Sequence, residues 1–252
     1  DKAPGFKPIT ISSTHFQNSG ASAGQELAFV LNSAVETIDR LTNLGMSPEK
    51  VFRNLQFEIS TGTSYFMEIA KLKALRILFW LVARQYGYKD YTPDQLFIHS
   101  TSSLWSKTIY DPYVNMLRNT TEAMSAILGG CNALTILPHD VRTGESDDLA
   151  RRISKNISII LKEESHLDKT ADPAAGSYYV EKLTDQLTRK SMSLFREIEQ
   201  EGGYFASYSK GLIQERITVV REKQDQQVTS RRKIYVGTNQ YPIVNEMSKT
   251  RA

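Results

Sequence analysis

Cysteine is almost absent from this sequence. Cys131 is the only cysteine among 252 residues, so the chain cannot form an internal disulfide. A single thiol is typical of proteins from a reducing compartment, and we therefore expect a cytoplasmic location. Cys131 follows Gly129-Gly130 and leads into an apolar run, a setting that favours a buried, inert thiol over a nucleophile.

Long apolar runs are also missing. No stretch approaches the roughly 18 residues that a membrane-spanning helix needs, so the sequence predicts a soluble protein with no membrane partner. The first five residues, Asp-Lys-Ala-Pro-Gly, contain neither an initiating Met nor the apolar core of a signal peptide. We therefore expect a fragment of a longer protein or a processed product.

A large excess of charge of one sign is lacking. The formal net charge is +3, and Arg231-Arg232-Lys233 is the one dense basic run. Because no aromatic residue is interleaved with this run, a solvated turn explains it better than a nucleic-acid site does. We expect no nucleic-acid partner.

Four short β-rich runs are present, and a long helical pattern follows each of them. The runs lie at residues 8–12, 55–59, 96–99 and 133–137. Strand followed by helix, four times over, predicts an α/β fold with a parallel sheet. Four such units make half of an eight-stranded (β/α)8 TIM barrel. An open doubly wound sheet is the alternative, but no glycine-rich phosphate loop follows the first strand.

Capping signals mark where the helices begin. Ser22 and Gln25 form a capping-box pattern, and Asp111-Pro112 predicts the start of the third long helix. Residues 1–145 therefore read as four strand–helix units of a TIM-type barrel. Residues 146–252 read as a mainly helical end of the barrel domain, with a short closing strand considered at 234–236.

Three of the four histidines follow or end predicted strands. His15, His99 and His139 lie where parallel barrels place their active sites, and with Asp140 they suggest a metal-dependent barrel enzyme. Each histidine comes from a different strand, however, and no HxH or HExxH spacing is present. Polar strand-end residues that bind loop backbone are the simpler interpretation. The residues themselves predict where a site lies but no mechanism.

Longer stretches resemble a known family. Residues 11–21, Ile-Ser-Ser-Thr-His-Phe-Gln-Asn-Ser-Gly-Ala, are similar to the family stretch Ile-Ser-Gly-Tyr-His-Met-Gln-Glu-Ala-Gly-Ala. Further matches lie at residues 65–72, 111–113, 163–165 and 171–178. The family is that of the methylmalonyl-CoA mutases, adenosylcobalamin-dependent acyl-CoA isomerases. The resemblance implies a barrel that holds acyl-CoA along its axis, with cobalamin on a separate C-terminal domain.

The resemblance covers the later barrel half and the helical segment after it. The early strands are absent, and so is the Asp-x-His-x-x-Gly motif with which the family's cobalamin domain binds its cofactor. Hence the N-terminal barrel half and the cobalamin-type domain are predicted to be missing. His15 matches the family's substrate-contacting histidine.

The departures from the family fall on residues that contact substrate. Residues 54–58 read Asn-Leu-Gln-Phe-Glu where the family has Arg-Leu-Ser-Phe-Phe, so an Arg and a Ser that contact CoA become Asn54 and Gln56. A site Gln becomes Thr101, and an acidic position becomes Val141. Losing the Arg removes a fixed cation for a CoA phosphate, and Gln56 adds bulk where a narrow substrate must pass.

These changes resemble the small, non-catalytic beta subunit of the bacterial heterodimeric mutases. In those enzymes the large subunit binds substrate and adenosylcobalamin. We therefore expect a large-subunit partner, no catalytic residue here (His15 being a vestigial site position), and no cofactor or metal bound by this chain. Because a half-barrel leaves two strand edges unpaired, we also expect self-association. The alternatives are an active adenosylcobalamin-dependent mutase with a different acyl substrate and the metal-dependent enzyme.

Overall fold

A four-stranded parallel sheet lies at the centre of the fold. The computed structural model describes residues 5–144 and 146–243. The strands β1 (Ile9–Ser12), β2 (Leu55–Thr61), β3 (Phe97–Ser102) and β4 (Ala133–Thr135) are ordered as they occur in the chain. All three neighbouring pairs are parallel, with Ser12 opposite Glu58 and Glu58 opposite His99. This is the arrangement expected of a partial TIM barrel, and the sheet is not closed.

The described residues contain nine helices. They are α1 (Thr14–Asn18), α2 (Ala23–Asn43), α3 (Pro48–Asn54), α4 (Tyr65–Gln85), α5 (Val114–Leu128), α6 (Asp148–Glu163), α7 (Tyr178–Gln200), α8 (Gly203–Ser209) and α9 (Leu212–Thr229). A 3₁₀ turn at Pro93–Gln95 precedes β3. None of the helices in the part of the chain that the structure describes is long and apolar enough to cross a membrane.

Local sequence explains where several helices begin. The capping box of α2 is confirmed, since Gln25 Oε1 accepts from the Ser22 backbone N–H at 3.0 Å and Ser22 Oγ accepts from Gln25 N–H at 3.4 Å. At α6, Asp147 Oδ1 accepts from Ala150 N–H at 2.6 Å. These side chains satisfy amide donors that have no partner inside the helix.

Two predictions of secondary structure are wrong, the start of one helix and a short strand. The third long helix begins at Val114, not at Asp111-Pro112, because the carbonyls of residues 111–113 accept from amides three residues ahead, as in tight turns, rather than four residues ahead. Residues 234–236 do not form a strand of the sheet. Instead Asn239 Oδ1 accepts from Tyr235 N–H at 2.7 Å, which folds the segment into a turn, and Val236 forms an isolated bridge with Gln240.

One face of the sheet packs against the helices. Alternate residues of β1, β2 and β3 point into the main apolar core, as the two-residue period of a strand requires. The core joins them to α2 and α4, and its fully buried members include Leu31, Phe57, Leu75 and Ile98. Smaller apolar clusters join α1 and α2 to α7 and α9, and α5 to α6.

A buried triad of one ammonium and two carboxylates lies near the carboxyl end of β2. The Lys71 ammonium contacts Glu26 at 2.7 Å and Glu68 at 2.6 Å, and it donates to the Ser60 carbonyl at 2.6 Å. Burial alone would lower the pKa of Lys71, but the two carboxylates hold that pKa above its usual value. Burial raises the pKa of Glu26, and its contact with Lys71 opposes the shift. The triad therefore fixes α2, α4 and β2 together.

Helix α9 crosses close to the loop that follows α1. A Cβ at Gly20, which has a φ of 99°, would lie 2.9 Å from the Arg221 Cβ. Gln224 Nε2 donates to the Gly20 carbonyl at 2.9 Å, and the Arg221 guanidinium lies 5.7 Å from the Trp105 ring centroid. Only a glycine permits this approach, because it lacks a Cβ and tolerates the left-handed conformation. In this way α9 is held near the ends of β1 and β3.

The amino ends of β3 and β4 are joined by one arginine. Arg76 donates to the carbonyls of Pro93 at 3.0 Å, Leu96 at 2.7 Å and Gly130 at 2.6 Å. The adjacent Cys131 is partly buried, and burial raises the pKa of its thiol to about 11. Since the thiolate is the reactive form, this supports an inert thiol.

Replacing the central ammonium should be far more harmful than replacing a neighbouring one. Lys71→Met leaves Glu26 and Glu68 buried without their cation, and breaking a buried pair in this way costs about 3–5 kcal/mol. Lys73→Met is the matched control on the same helix. Lys73 pairs with the half-exposed Asp172, a contact for which about 0–1 kcal/mol is typical. Urea unfolding at pH 8 measures both losses in the free energy of unfolding.

Urea unfolding of both variants at pH 5 tests whether uncompensated buried charge causes the loss of stability in Lys71→Met. Without Lys71, protonation of Glu26 relieves the buried charge, and a carboxyl whose folded pKa is raised gains stability as the pH falls. The deficit of Lys71→Met should therefore shrink at pH 5, whereas that of Lys73→Met should change little. Equal losses for the two variants at pH 8 would contradict the structural role of the triad.

Cys131 should react slowly with iodoacetamide in the folded protein. A pKa of about 11, against about 8.5 for an exposed thiol, lowers the thiolate fraction at pH 8 on the order of a hundredfold. The alkylation rate of the folded chain should keep rising with pH up to about 11, whereas in urea it should level off near 9. Mass spectrometry of the labelled protein gives both profiles, and a folded profile that levels off near 9 would refute the burial of the thiol.

Candidate functional site

The face of the sheet turned away from the apolar core is polar. This open face carries the side chains of Thr10, Ser12, Gln56, Glu58, His99, Thr101 and Thr135. These residues alternate with the core residues along each strand, as strand geometry requires. In a closed barrel such a face points inward. It is therefore the first place to look for a binding site.

Hydrogen bonds join the side chains of the open face across the strands. Gln56 Nε2 donates to Thr10 Oγ1 at 2.9 Å. His99 Nε2 lies 2.8 Å from Thr135 Oγ1. Between these pairs, the Glu58 carboxylate accepts from the hydroxyls of Ser12 and Thr101. Most polar groups of the face are thus satisfied by one another.

The four altered family positions do not form one cluster. Gln56 and Thr101 lie on the open face, with Glu58 between them along the sheet. Asn54 is the last residue of α3, before the strand begins, and its Nδ2 donates to the Lys50 carbonyl at 2.8 Å. Val141 lies in the loop after β4, where its N–H donates to the Pro138 carbonyl at 3.2 Å.

His15 lies at the carboxyl end of β1, on the short helix α1. Its ring is exposed and packs beside that of Phe16, with 3.8 Å between the centroids. Although the ring is accessible, the surrounding protein atoms desolvate it enough to lower its pKa. A neutral, accessible imidazole can accept or donate one hydrogen bond to a ligand.

The three histidines of the metal hypothesis are not brought together. His99 is bonded to Thr135, and His139 is buried in the loop after β4, with its ring stacked 5.3 Å from that of Tyr113. The described residues contain no group of three or more His, Cys, Asp or Glu side chains placed to hold a metal ion. The geometry gives no support to the metal-dependent enzyme.

A buried hydrogen-bonded chain lies at the carboxyl ends of the strands, and the sequence did not predict it. Ser60 Oγ donates to Gln17 Oε1 at 3.2 Å, and Gln17 Nε2 donates to Ser103 Oγ at 2.6 Å. Glu122 accepts from the Ser103 backbone N–H at 3.2 Å and pairs with Lys107 at 2.6 Å. This chain of contacts fixes the ends of β2 and β3 relative to α1 and α5.

The second ion pair of this chain is strongly desolvated. Burial raises the pKa of Glu122 and lowers that of Lys107, and the contact between the two opposes both shifts. Neither group faces the open side of the sheet, since both side chains are buried. A charged residue inside an otherwise apolar helix stripe was the available signal for Glu122, and also for Glu26 and Lys71.

Comparisons with known proteins show which family the sequence is similar to. The family model described as Methylmalonyl-CoA mutase matches residues 1–251. The methylmalonyl-CoA mutase small subunit of Porphyromonas gingivalis is 39% identical over 97% of this chain and 40% of its own length. That of Streptomyces virginiae is 37% identical over 98% of this chain and 40% of its own length. The methylmalonyl-CoA mutase of Escherichia coli is 34% identical over 96% of this chain and 34% of its length.

The chain therefore spans about two fifths of the length of the two small-subunit relatives. The match runs across all four strands and the nine helices of the described residues, rather than over one motif. From its sequence and its fold together, the chain belongs to the methylmalonyl-CoA mutase family.

Proposed function

We propose that this chain is part of a non-catalytic small subunit of a heterodimeric methylmalonyl-CoA mutase. In this role it supports a large subunit that interconverts methylmalonyl-CoA and succinyl-CoA. The observation that carries the proposal is the composition of the open face, where none of the described strand residues is a Lys or an Arg and Glu58 is acidic. A ligand with several phosphates and a carboxylate needs cations or directed donors to replace its water.

The positions that depart from the family support the same role. Asn54 bonds its own helix and offers no charge, and Gln56 extends over the open face toward Thr10. The hydroxyl of Thr101 is already donated to Glu58. These groups satisfy one another, so binding acyl-CoA there would first require breaking their hydrogen bonds, at about 1 kcal/mol each or more when an acceptor is left unpaired.

These 252 residues contain no Asp-x-His-x-x-Gly motif. Two of their four histidines are already engaged, since His139 is buried under Tyr113 and His99 is held by Thr135. We therefore assign adenosylcobalamin to the partner large subunit, and no catalytic step to this chain. Residues 1–145 are taken as four units of the barrel and residues 146–252 as its helical end.

The partner assignment is supported by two relatives from one organism. Porphyromonas gingivalis has both a methylmalonyl-CoA mutase small subunit, 39% identical to this chain, and a large subunit that is 33% identical. A small subunit with its own barrel would pair with the large one. A bacterial source and a cytoplasmic location accord with this proposal.

An active mutase with a different acyl substrate is the second candidate. The observation that favours it is His15, which is exposed at the carboxyl end of β1, where barrel enzymes place catalytic groups.

Substitution of His15 in the full-length protein separates the two candidates. If the chain is non-catalytic, a complex of His15→Ala with the large subunit should convert methylmalonyl-CoA at the wild-type rate, and the small subunit alone should show no turnover. If His15 contacts substrate during catalysis, its loss should lower kcat/KM on the order of 10²-fold. Steady-state assays with methylmalonyl-, ethylmalonyl- and isobutyryl-CoA, with thermal unfolding as a check on folding, measure this. Turnover by the small subunit alone would refute the proposal.

The isolated 252-residue chain should self-associate. In the described residues β1 pairs only with β2 and β4 only with β3, so both outer edges present unpaired backbone groups. Light scattering after size exclusion should give a mass well above the 28.5 kDa of one chain. Thr135→Lys, which adds charge to the β4 edge, should weaken the association, whereas Thr63→Lys in an exposed loop should not. A monodisperse monomer would contradict the prediction.

A further inference from the structure

Glu58 occupies the middle of the open face. It is the fourth residue of β2, and the register places it opposite Ser12 on one side and opposite His99 on the other. Its Oε2 accepts from Ser12 Oγ at 2.8 Å, and its Oε1 accepts from Thr101 Oγ1 at 3.2 Å. One carboxylate therefore links three strands, and both of its oxygens are held in place.

Among the described strand residues of the open face, none is a Lys or an Arg that would neutralise Glu58. The other side chains of the open face are the hydroxyls of Thr10, Ser12, Thr101 and Thr135, the amide of Gln56 and the imidazole of His99. The imidazole is bonded to Thr135 rather than to the carboxylate. The face consequently carries one fixed negative charge, which repels an anion more strongly as water is displaced from the face.

Glu58 differs in charge from Gln56 and Asn54, two of the positions at which the sequence departs from the family. Gln56 is neutral, and it lies two residues nearer the amino end of β2 beside Thr10. Asn54 belongs to α3 rather than to the strand. Neither residue carries a charge that would repel a ligand bearing a carboxylate. Glu58 does, because like charges repel whereas a neutral group is tolerated.

We infer that Glu58 is the specificity-determining residue of this face, and that it excludes acyl groups that bear a carboxylate. The inference rests on the proposed function, in which the open face corresponds to the acyl-CoA side of the family's barrel. The inference goes beyond the proposed function because it assigns the exclusion of carboxylate-bearing acyl groups to one charge, that of Glu58. The neutral, equally large substitution Glu58→Gln keeps an acceptor for Ser12 or Thr101 and removes only that charge.

Titration calorimetry of the full-length protein tests this assignment. Two probes are used, methylmalonyl-CoA and propionyl-CoA, which differ by one carboxylate and share every CoA phosphate. Glu58→Gln should bind methylmalonyl-CoA at least tenfold more tightly than the wild type, for which we expect weak binding. The affinity for propionyl-CoA should change by less than threefold. Glu222→Gln, the same charge change at an exposed position of α9, should alter neither affinity.

Each other outcome has a defined meaning. Absence of detectable methylmalonyl-CoA binding by Glu58→Gln would overturn the inference while leaving the non-catalytic role intact. An equal gain for both probes would also overturn it, since the effect would then be steric rather than electrostatic. Tight methylmalonyl-CoA binding by the wild type would instead count against the proposed function. Thermal unfolding of each variant verifies that the sheet remains folded.

Discussion

The rest of the structure depends on one buried ammonium. Lys71 lies between two carboxylates from different parts of the chain, Glu26 on α2 and Glu68 on its own helix, and it reaches the β2 backbone through the Ser60 carbonyl. A buried charge is tolerated only when every partner is in place, so the triad permits one arrangement of helix and strand. From Ser60 the hydrogen bonds continue through Gln17 and Ser103 to a second buried pair. The carboxyl ends of the strands are thereby fixed.

The open face differs in its chemistry from these buried ion pairs. The open face presents hydroxyls, an amide, an imidazole and a carboxylate, and cross-strand contacts such as Glu58 with Ser12 and Thr101 already use them. A catalytic face usually keeps some polar groups free for the substrate and directs them at the position where charge develops. A face whose groups satisfy one another is what we would expect if the proposed non-catalytic role is correct.

The order of strands and helices could be predicted because it depends on local patterns. Short β-rich runs marked the strands, and the capping box of Ser22 and Gln25 marked the start of α2. The short helix α3 was missed, although Pro48 after a capping Ser47 was an available signal. Apolar residues inside a helix are not always buried, since Phe66 of α4 is 51% exposed and packs edge-on against Tyr179.

The site was harder to predict because its contacts join distant parts of the chain. The hydroxyls that hold Glu58 are 46 and 43 residues away in sequence, so no local pattern indicates them. The sequence identified Asn54 as a lost contact, but only the structure shows that its amide is turned to its own helix. The metal hypothesis for His15, His99 and His139 assumed that residues at neighbouring strand ends meet, whereas His139 is buried in the loop after β4.

The close crossing of α9 over Gly20 limits how this protein can change during evolution. Any side chain at Gly20 would collide with Arg221, and the Gly20 carbonyl is also the acceptor for Gln224 one turn further along α9. Substitutions in that loop and insertions in α9 cannot therefore be accepted independently of each other. The loop beside His15 and the helix that crosses it, about 200 positions apart, should be inherited as a matched pair when related subunits recombine.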